Sequence, residues 1–158
     1  HGLDPGDREL LEYAALLHDA GYWIGAEKHH KHAYYLVREG LREGFSREEV
    51  NLIALATRYH RGKLPRPSHE EFGGLGRRAR ARVSALSALL RIADGLDRSH
   101  AGLVKGMEVV LDRSAVTLKL LSEHDLDLEV FAADRRGDLF RKTFDRELVF
   151  DVQKEPGA

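Results

Sequence analysis

Four separate helical patterns in this chain each carry a residue type that commonly binds metal ions. Apolar residues recur at helical spacing before each of these positions, so the polar side chains continue the stripe that forms the core. One His or Asp on an apolar face is usually a satisfied core residue. Four of them on four helices predict one shared polar pocket in a helical core, formed by His18 with Asp19, His29 with His32, His60, and Asp94.

Turn and cap signals divide the first hundred residues into these four helices. The first follows the turn at 4–7 and stops at Gly21, and Ser46 with Glu49 forms a capping box that opens the third. Residues 62–76 are rich in Pro and Gly and are predicted to form a loop. The second helix is predicted over about 28–39, the third from 47 to just before 62, and the fourth over about 77–98.

After His100 the apolar spacing changes and predicts strands. Residues 104–111 and 115–121 are two short runs of β-branched and aliphatic residues joined by a hairpin at 112–114. A helix weakened by Gly137 and a last strand at 148–152 follow. We therefore predict a mainly α fold, with a helical domain over residues 1–100 and a small β-β-α-β unit over 101–158 packed on it.

Composition restricts the chemistry of the pocket. The 158 residues are 42% hydrophobic and 32% charged, as in soluble globular proteins, and no apolar run is long enough to cross a bilayer. Cysteine is absent, so a metal would have to use His, Asp and Glu, and this inventory favours Mn, Mg, Fe or Zn. We expect a cytoplasmic protein with neither a membrane nor a nucleic-acid partner. The opening at His1, within a loop-like segment, suggests a fragment of a longer protein.

The polar positions need partners because they lie on apolar stripes. A buried imidazole without a partner costs on the order of 1 to 3 kcal/mol, and a buried carboxylate must neutralise or find a cation. One divalent ion bound by His18, Asp19, His29, His60 and Asp94 would satisfy all of them. We expect His32 and Asp97 to support these ligands from behind, although Asp97 could instead cap the helix or pair with Arg98.

Positive charge is concentrated in one segment although the net charge of the chain is only −1. Residues 58–82 contain eight Lys or Arg against two acids, a local excess of +6. Such a segment either binds a polyanion or forms only a solvated helix face, and the two interpretations are about equally supported. The candidate polyanion-binding residues are Arg61, Lys63, Arg66, Arg77, Arg78 and Arg80.

Four motifs give the chain a resemblance to a known family. They are Leu-Leu-His-Asp-Ala-Gly-Tyr at 16–22, His-His-Lys-His-Ala-Tyr-Tyr-Leu at 29–36, Arg-Tyr-His-Arg at 58–61, and Ile-Ala-Asp-Gly-Leu-Asp-Arg-Ser-His at 92–100. With them the chain resembles the HD superfamily of metal-dependent phosphohydrolases. More closely, it is similar to the C-terminal region of the exopolyphosphatase and guanosine pentaphosphatase (Ppx/GppA) family.

The resemblance implies an HD-like helical bundle within a phosphoric-anhydride hydrolase. Family members carry two upstream ATPase-like domains, absent here, which hydrolyse polyphosphate or guanosine pentaphosphate. The helical region is expected to contribute a basic, polyphosphate-facing surface and a contact for a homodimer. The first His of the HD superfamily would precede residue 1, so the metal site here would lack one ligand.

Two other functions stay open at this point. The region could be a self-standing metal-dependent phosphohydrolase, in which case Asp19 would take part in catalysis beside the ion. Alternatively, it could be a non-catalytic dimerisation module whose polar residues form a buried hydrogen-bond network.

Overall fold

The fold was analysed in a computed structural model that describes residues 3–154. The chain divides into two compact units, with the boundary between Leu90 and Arg91. The elements, in chain order, are α1 (Asp7–Leu17), a 3₁₀ turn (Ala20–Trp23), α2 (His29–Gly40), α3 (Arg47–Tyr59), α4 (Glu70–Gly73), α5 (Arg77–Leu96), β1 (Gly106–Leu111), β2 (Ala115–Ser122), α6 (Asp127–Arg136), α7 (Asp138–Phe144) and β3 (Glu147–Lys154).

The mainly α fold with a small α+β unit is confirmed. The predicted loop-like opening at His1 and Gly2, and the last four residues of the predicted second domain, lie outside the described residues. Whether the division into domains falls at residue 100 stays a prediction. Within the described part of the chain, no helix combines the length and apolar character that crossing a bilayer requires.

The core of the first unit lies where α1, α2, α3 and the part of α5 up to Leu90 meet. The stripes predicted for these helices supply it, with α3 buried along most of its length. The capping box that opens α3 is present, because the Ser46 hydroxyl accepts from the Glu49 amide at 3.3 Å and the Glu49 carboxylate accepts from the Ser46 amide at 2.7 Å. The central core residues are Leu52, Ile53, Tyr59, Val83, Leu86 and Leu90.

The segment predicted to be a loop contains a short helix, and the last turns of α5 bury residues other than those that the helical spacing predicts. Helix α4 forms at the predicted loop because two acids, Glu70 and Glu71, occupy its first turn, where they interact favourably with the helix dipole. At the end of α5, the helical spacing that carries Asp94 would also turn Ala93 and Asp97 inward, but both are exposed. The buried positions there are Ile92, Gly95 and Leu96 instead, because a Cβ at Gly95 would lie 2.5 Å from the Ala133 Cα of α6.

The second unit contains a three-stranded sheet in the order β1-β2-β3. β1 and β2 form the predicted antiparallel hairpin, whereas β3 pairs in parallel with β2, so α6 and α7 serve as the crossover between them. The predicted single helix is divided at Gly137, where a Cβ would meet Leu148 at 3.1 Å. Alternate residues of β2 are buried, as expected when one face of a sheet is covered.

Candidate metal centre

Three predicted ligands converge in the first unit. The ligand atoms of His18, Asp19 and His60 all lie within 4.8 Å of one another. His29 joins them, because its Nε2 lies 3.4 Å from Asp19 Oδ1 and 3.4 Å from His60 Nε2. Asp19 Oδ2 is 3.4 Å from His18 Nε2, and Asp19 Oδ1 is 4.0 Å from His60 Nε2. We call these four residues the His-Asp cluster.

The ends of three helices position the cluster. His18 directly follows the last residue of α1, His60 directly follows that of α3, and His29 begins α2. Asp19 precedes the 3₁₀ turn that carries the chain from α1 toward α2. The cluster therefore forms where these helices meet, and the short turn after Asp19 sets the spacing between α1 and α2.

Gly21 allows this turn to lie directly on α2. The residue is buried, and a Cβ there would be 2.0 Å from the His29 carbonyl oxygen and 2.6 Å from the Ala33 amide nitrogen. Only a residue without a side chain permits this approach. Gly21 therefore holds Asp19 and His29 at their observed separation.

The backbone determines which ring nitrogen carries the proton. In all three imidazoles Nδ1 lies within hydrogen-bonding distance of the carbonyl oxygen three residues earlier. A carbonyl can only accept, so Nδ1–H is the donor and, in the neutral ring, Nε2 is an acceptor. The donated bonds are His18 to Ala15 at 2.6 Å, His29 to Ala26 at 3.2 Å, and His60 to Thr57 at 2.6 Å.

The electrostatics of the cluster favour neutral imidazole at His60. Burial lowers the pKa of His60 to about 2, and the nearby His18 and His29 rings and the Arg61 guanidinium act in the same direction. The hydrogen bond to the Thr57 carbonyl opposes them. A ring that stays unprotonated keeps its Nε2 lone pair for a cation. The cluster thus gathers three acceptor nitrogens around one carboxylate, an arrangement suited to binding a positive ion.

The remaining residues predicted for the metal site are Asp94, Asp97 and His32. Asp94 belongs to the second unit, where its carboxylate pairs with Arg136. Asp97 accepts a hydrogen bond from the Gly102 amide at 3.3 Å and lies 3.7 Å from His100. The His32 side chain has no hydrogen bond, ion pair or ring contact among residues 3–154. Participation of Asp94, Asp97 and His32 stays a prediction.

The predicted polyanion-binding residues fall into two groups. Arg61, Lys63 and Arg66 lie in the connection between α3 and α4, whereas Arg77, Arg78 and Arg80 lie in the first turn of α5. Arg78 donates to Asp4 at 2.8 and 3.0 Å, so part of its charge is compensated. For the other five side chains the described residues contain no ion-pair partner.

A comparison with protein families identifies the chain at this point. A family model described as Ppx/GppA phosphatase, domain III, matches residues 2–134. The chain belongs to this family. Three of the four motifs that carried the resemblance contribute to the His-Asp cluster, and the match ends within α6, before β3 begins. The chain is thus a domain of an exopolyphosphatase/GppA-type phosphatase.

Sequence reasoning missed several residues beside the cluster. His30, Lys31, Arg58 and His69 line a cavity together, although none of them was predicted to belong to a site. Three of them lie within two residues of a cluster residue in the same motifs, as in His29-His30-Lys31. That adjacency was the available signal.

Proposed function

We propose that this domain III binds one divalent transition-metal ion in an HD-type centre and offers a basic surface to the phosphate chain on which the parent phosphatase acts. The observation that carries the proposal is the convergence of the His18, Asp19 and His60 ligand atoms within 4.8 Å. His29 is the fourth donor.

The separations between the donor atoms fit a tetrahedral metal ion. Two donors that are each 2.0–2.2 Å from a tetrahedral ion lie about 3.3–3.6 Å apart. The separations of His29 Nε2 from Asp19 Oδ1 and from His60 Nε2 are both 3.4 Å, and so is that of His18 Nε2 from Asp19 Oδ2. Small side-chain movements would bring the donors into coordination.

The chemical types of the donors also fit a transition-metal ion. Three imidazoles to one carboxylate favour Zn, Fe or Mn over Mg, which prefers oxygen ligands. Each imidazole that donates from Nδ1 to a carbonyl is held in the orientation that metal-binding histidines usually adopt. When bound, such an ion would polarise a phosphoryl oxygen or lower the pKa of a water molecule.

Metal analysis tests this centre directly. We expect one Zn, Fe or Mn ion per chain after dialysis against metal-replete buffer. Asp19→Asn removes the central charge while keeping the shape, and it should weaken binding by at least about 100-fold.

His29→Gln and His32→Gln form a matched pair, because the two histidines lie on α2 one turn apart. The first should lower metal affinity and the second should leave it unchanged. An ion-free wild-type chain, or an Asp19→Asn variant that binds as tightly as wild type, would leave the cluster as a hydrogen-bond network. Hydrolysis of pyrophosphate by the metal-loaded chain would assign the domain its own phosphohydrolase activity.

The basic surface is supported by the arginines and lysine without ion-pair partners among the described residues. Retention on immobilised polyphosphate should fall with salt, since each released counterion steepens the slope. Arg77→Gln with Arg80→Gln should reduce that slope by about one to two units. Arg8→Gln with Arg42→Gln, which changes exposed side chains elsewhere, is the control. Equal slopes for the two double variants would contradict the proposal that this surface binds polyphosphate.

A further inference from the structure

Tyr22 lies over the face of one histidine of the His-Asp cluster. Its ring is nearly parallel to the His29 imidazole, with 4.0 Å between the ring centroids and 17° between the planes. The histidines of the cluster meet one another at larger angles, 80° for His18 with His60 and 38° for His29 with His60. Within residues 3–154, the stack on Tyr22 is therefore a contact that distinguishes His29 from the other two rings.

The backbone holds the His29 ring less firmly than it holds the other two imidazoles. Nδ1 lies 2.6 Å from its carbonyl oxygen in both His18 and His60, but 3.2 Å from it in His29. A separation of 3.2 Å is at the upper end of the range for N–H···O hydrogen bonds. The parallel Tyr22 ring supplies a second restraint, because the imidazole cannot rotate about its Cβ–Cγ bond without striking the phenol ring.

The 3₁₀ turn that carries Tyr22 also carries two other contacts to His29. Asp19 Oδ1 lies 3.4 Å from the His29 Nε2, and Gly21 packs on the His29 carbonyl. The Tyr22 amide donates to the Asp19 carbonyl at 3.0 Å, so the turn links the stacking ring to the residue that supplies the carboxylate. Tyr22 thus restrains the face of the ring while Asp19 lies at its Nε2.

Burial and electrostatics give the stack an effect on metal binding. The His29 side chain is 3% exposed, whereas Tyr22 is 47% exposed, so the phenol ring separates the imidazole face from solvent. A ring covered in this way has fewer orientations in which Nε2 bonds to water. An imidazole that binds a cation also becomes electron-poor, and the negative face of a phenol ring interacts favourably with it.

We propose that Tyr22 is a positioning residue of the metal centre, which holds the His29 imidazole with its Nε2 directed at Asp19 and His60. This role rests on the proposed function, because His29 needs such positioning only as a metal ligand. Tyr22 binds no ion itself and acts through the imidazole. Its contribution is made by the aromatic face rather than by the hydroxyl.

Chelator competition with the 158-residue chain measures its affinity for Zn and for Co, and so tests this role. Tyr22→Leu keeps an apolar side chain but removes the aromatic face, and it should weaken binding about three- to tenfold, as expected for one aromatic pair. Tyr22→Phe keeps the face and should bind as tightly as wild type. Trp23→Leu is the matched control in the same turn, since Trp23 is 94% exposed, and it should leave the affinity unchanged.

Two spectroscopic measurements separate positioning from a general loss of structure. The d–d absorption bands of the cobalt-loaded chain report the geometry of the ligands, so Tyr22→Leu should change them while Tyr22→Phe and Trp23→Leu should not. In metal-free buffer, the ring current of an aromatic side chain should place the His29 ring protons upfield in wild type and Tyr22→Phe, but not in Tyr22→Leu. Circular dichroism should be the same for all four chains.

The outcomes distinguish a failure of this role from a failure of the metal centre. The role of Tyr22 is overturned if Tyr22→Leu binds as tightly as wild type with an unchanged cobalt spectrum, or if Tyr22→Leu and Trp23→Leu weaken binding equally. Equal losses for Tyr22→Phe and Tyr22→Leu would also overturn it, because the effect would then belong to the hydroxyl. A wild-type chain that binds no ion would overturn the centre itself, and Tyr22 would then have no ligand to position.

Discussion

Substitution of Gly21 by Ala should damage both the packing and the His-Asp cluster. The added Cβ would lie 2.0 Å from the His29 carbonyl oxygen, whereas distances below 3.0 Å are essentially never seen for real Cβ atoms. The second close neighbour, the Ala33 amide nitrogen at 2.6 Å, is also backbone. No side-chain rotation can relieve this overlap, so the 3₁₀ turn and α2 must move apart.

The expected cost follows from this rigidity. Overpacking typically costs about 1–3 kcal/mol, and a clash with backbone on both sides places Gly21→Ala near the upper end, at about 3 kcal/mol. For a chain of this size each kcal/mol lowers Tm by roughly 2–4 °C, which gives a loss of roughly 6–12 °C. Because Asp19 and His29 flank the contact, metal affinity should fall as well.

Gly25→Ala is the control for this experiment. Gly25 follows the same turn, and a Cβ there would have nothing within 4 Å. Its substitution should change stability by no more than about 1 kcal/mol, with stabilisation the expected direction. Thermal unfolding followed by circular dichroism compares the two variants. If Gly21→Ala melts within about 2 °C of Gly25→Ala, the close approach does not exist as described.

Two further predictions concern buried charge. Arg82→Ala should lower the free energy of unfolding by about 3–5 kcal/mol, because it leaves Asp7, which is 1% exposed and 2.8 Å from Arg82, as an unpaired buried carboxylate. In a urea titration, Arg77→Ala should lower it by less than about 0.5 kcal/mol. Equal losses for the two variants would refute the pairing of Arg82 with Asp7. The folded-state pKa of His60, about 2, lies below the unfolded value of 6.5, so its stabilising contribution is complete above pH 6.5 and is lost as pH falls. In metal-free buffer, the free energy of unfolding should drop by up to about 1.4 kcal/mol per pH unit below 6.5. His60→Gln should show a shallower fall with pH. Identical slopes for wild type and this variant would contradict the burial of a neutral ring at position 60.

Local signals in the sequence predicted the elements well. The Ser46-Glu49 box marks the start of α3, and residues 112–114 mark the turn between β1 and β2, because caps and tight turns involve residues only a few positions apart. Helical periodicity also identified His18 and His60 as residues directed toward a shared centre. Such features need no knowledge of the rest of the fold.

Contacts between distant residues were not predictable in the same way. Arg82 pairs with Asp7 across 75 residues, although the sequence indicated only a basic stretch. The position of Arg58 depends on α2 lying beside the end of α3, and nothing in the motif around Arg58 indicates that its guanidinium lies over the Tyr34 ring. Periodicity also gave the wrong face for Ala93, since the end of α5 packs in a different unit from its beginning.

The carbonyl bonds that orient the three imidazoles have a consequence for protein engineering. Each ring donates to the carbonyl of a residue three positions earlier in its own chain, so part of its alignment is encoded in a tetrapeptide. Two of these tetrapeptides end helices, at His18 and His60. A graft of the centre onto another scaffold would therefore have to transfer the helix termini together with the three-residue spacing between each histidine and its carbonyl. Ligand side chains placed in mid-helix would lose the carbonyl that orients them.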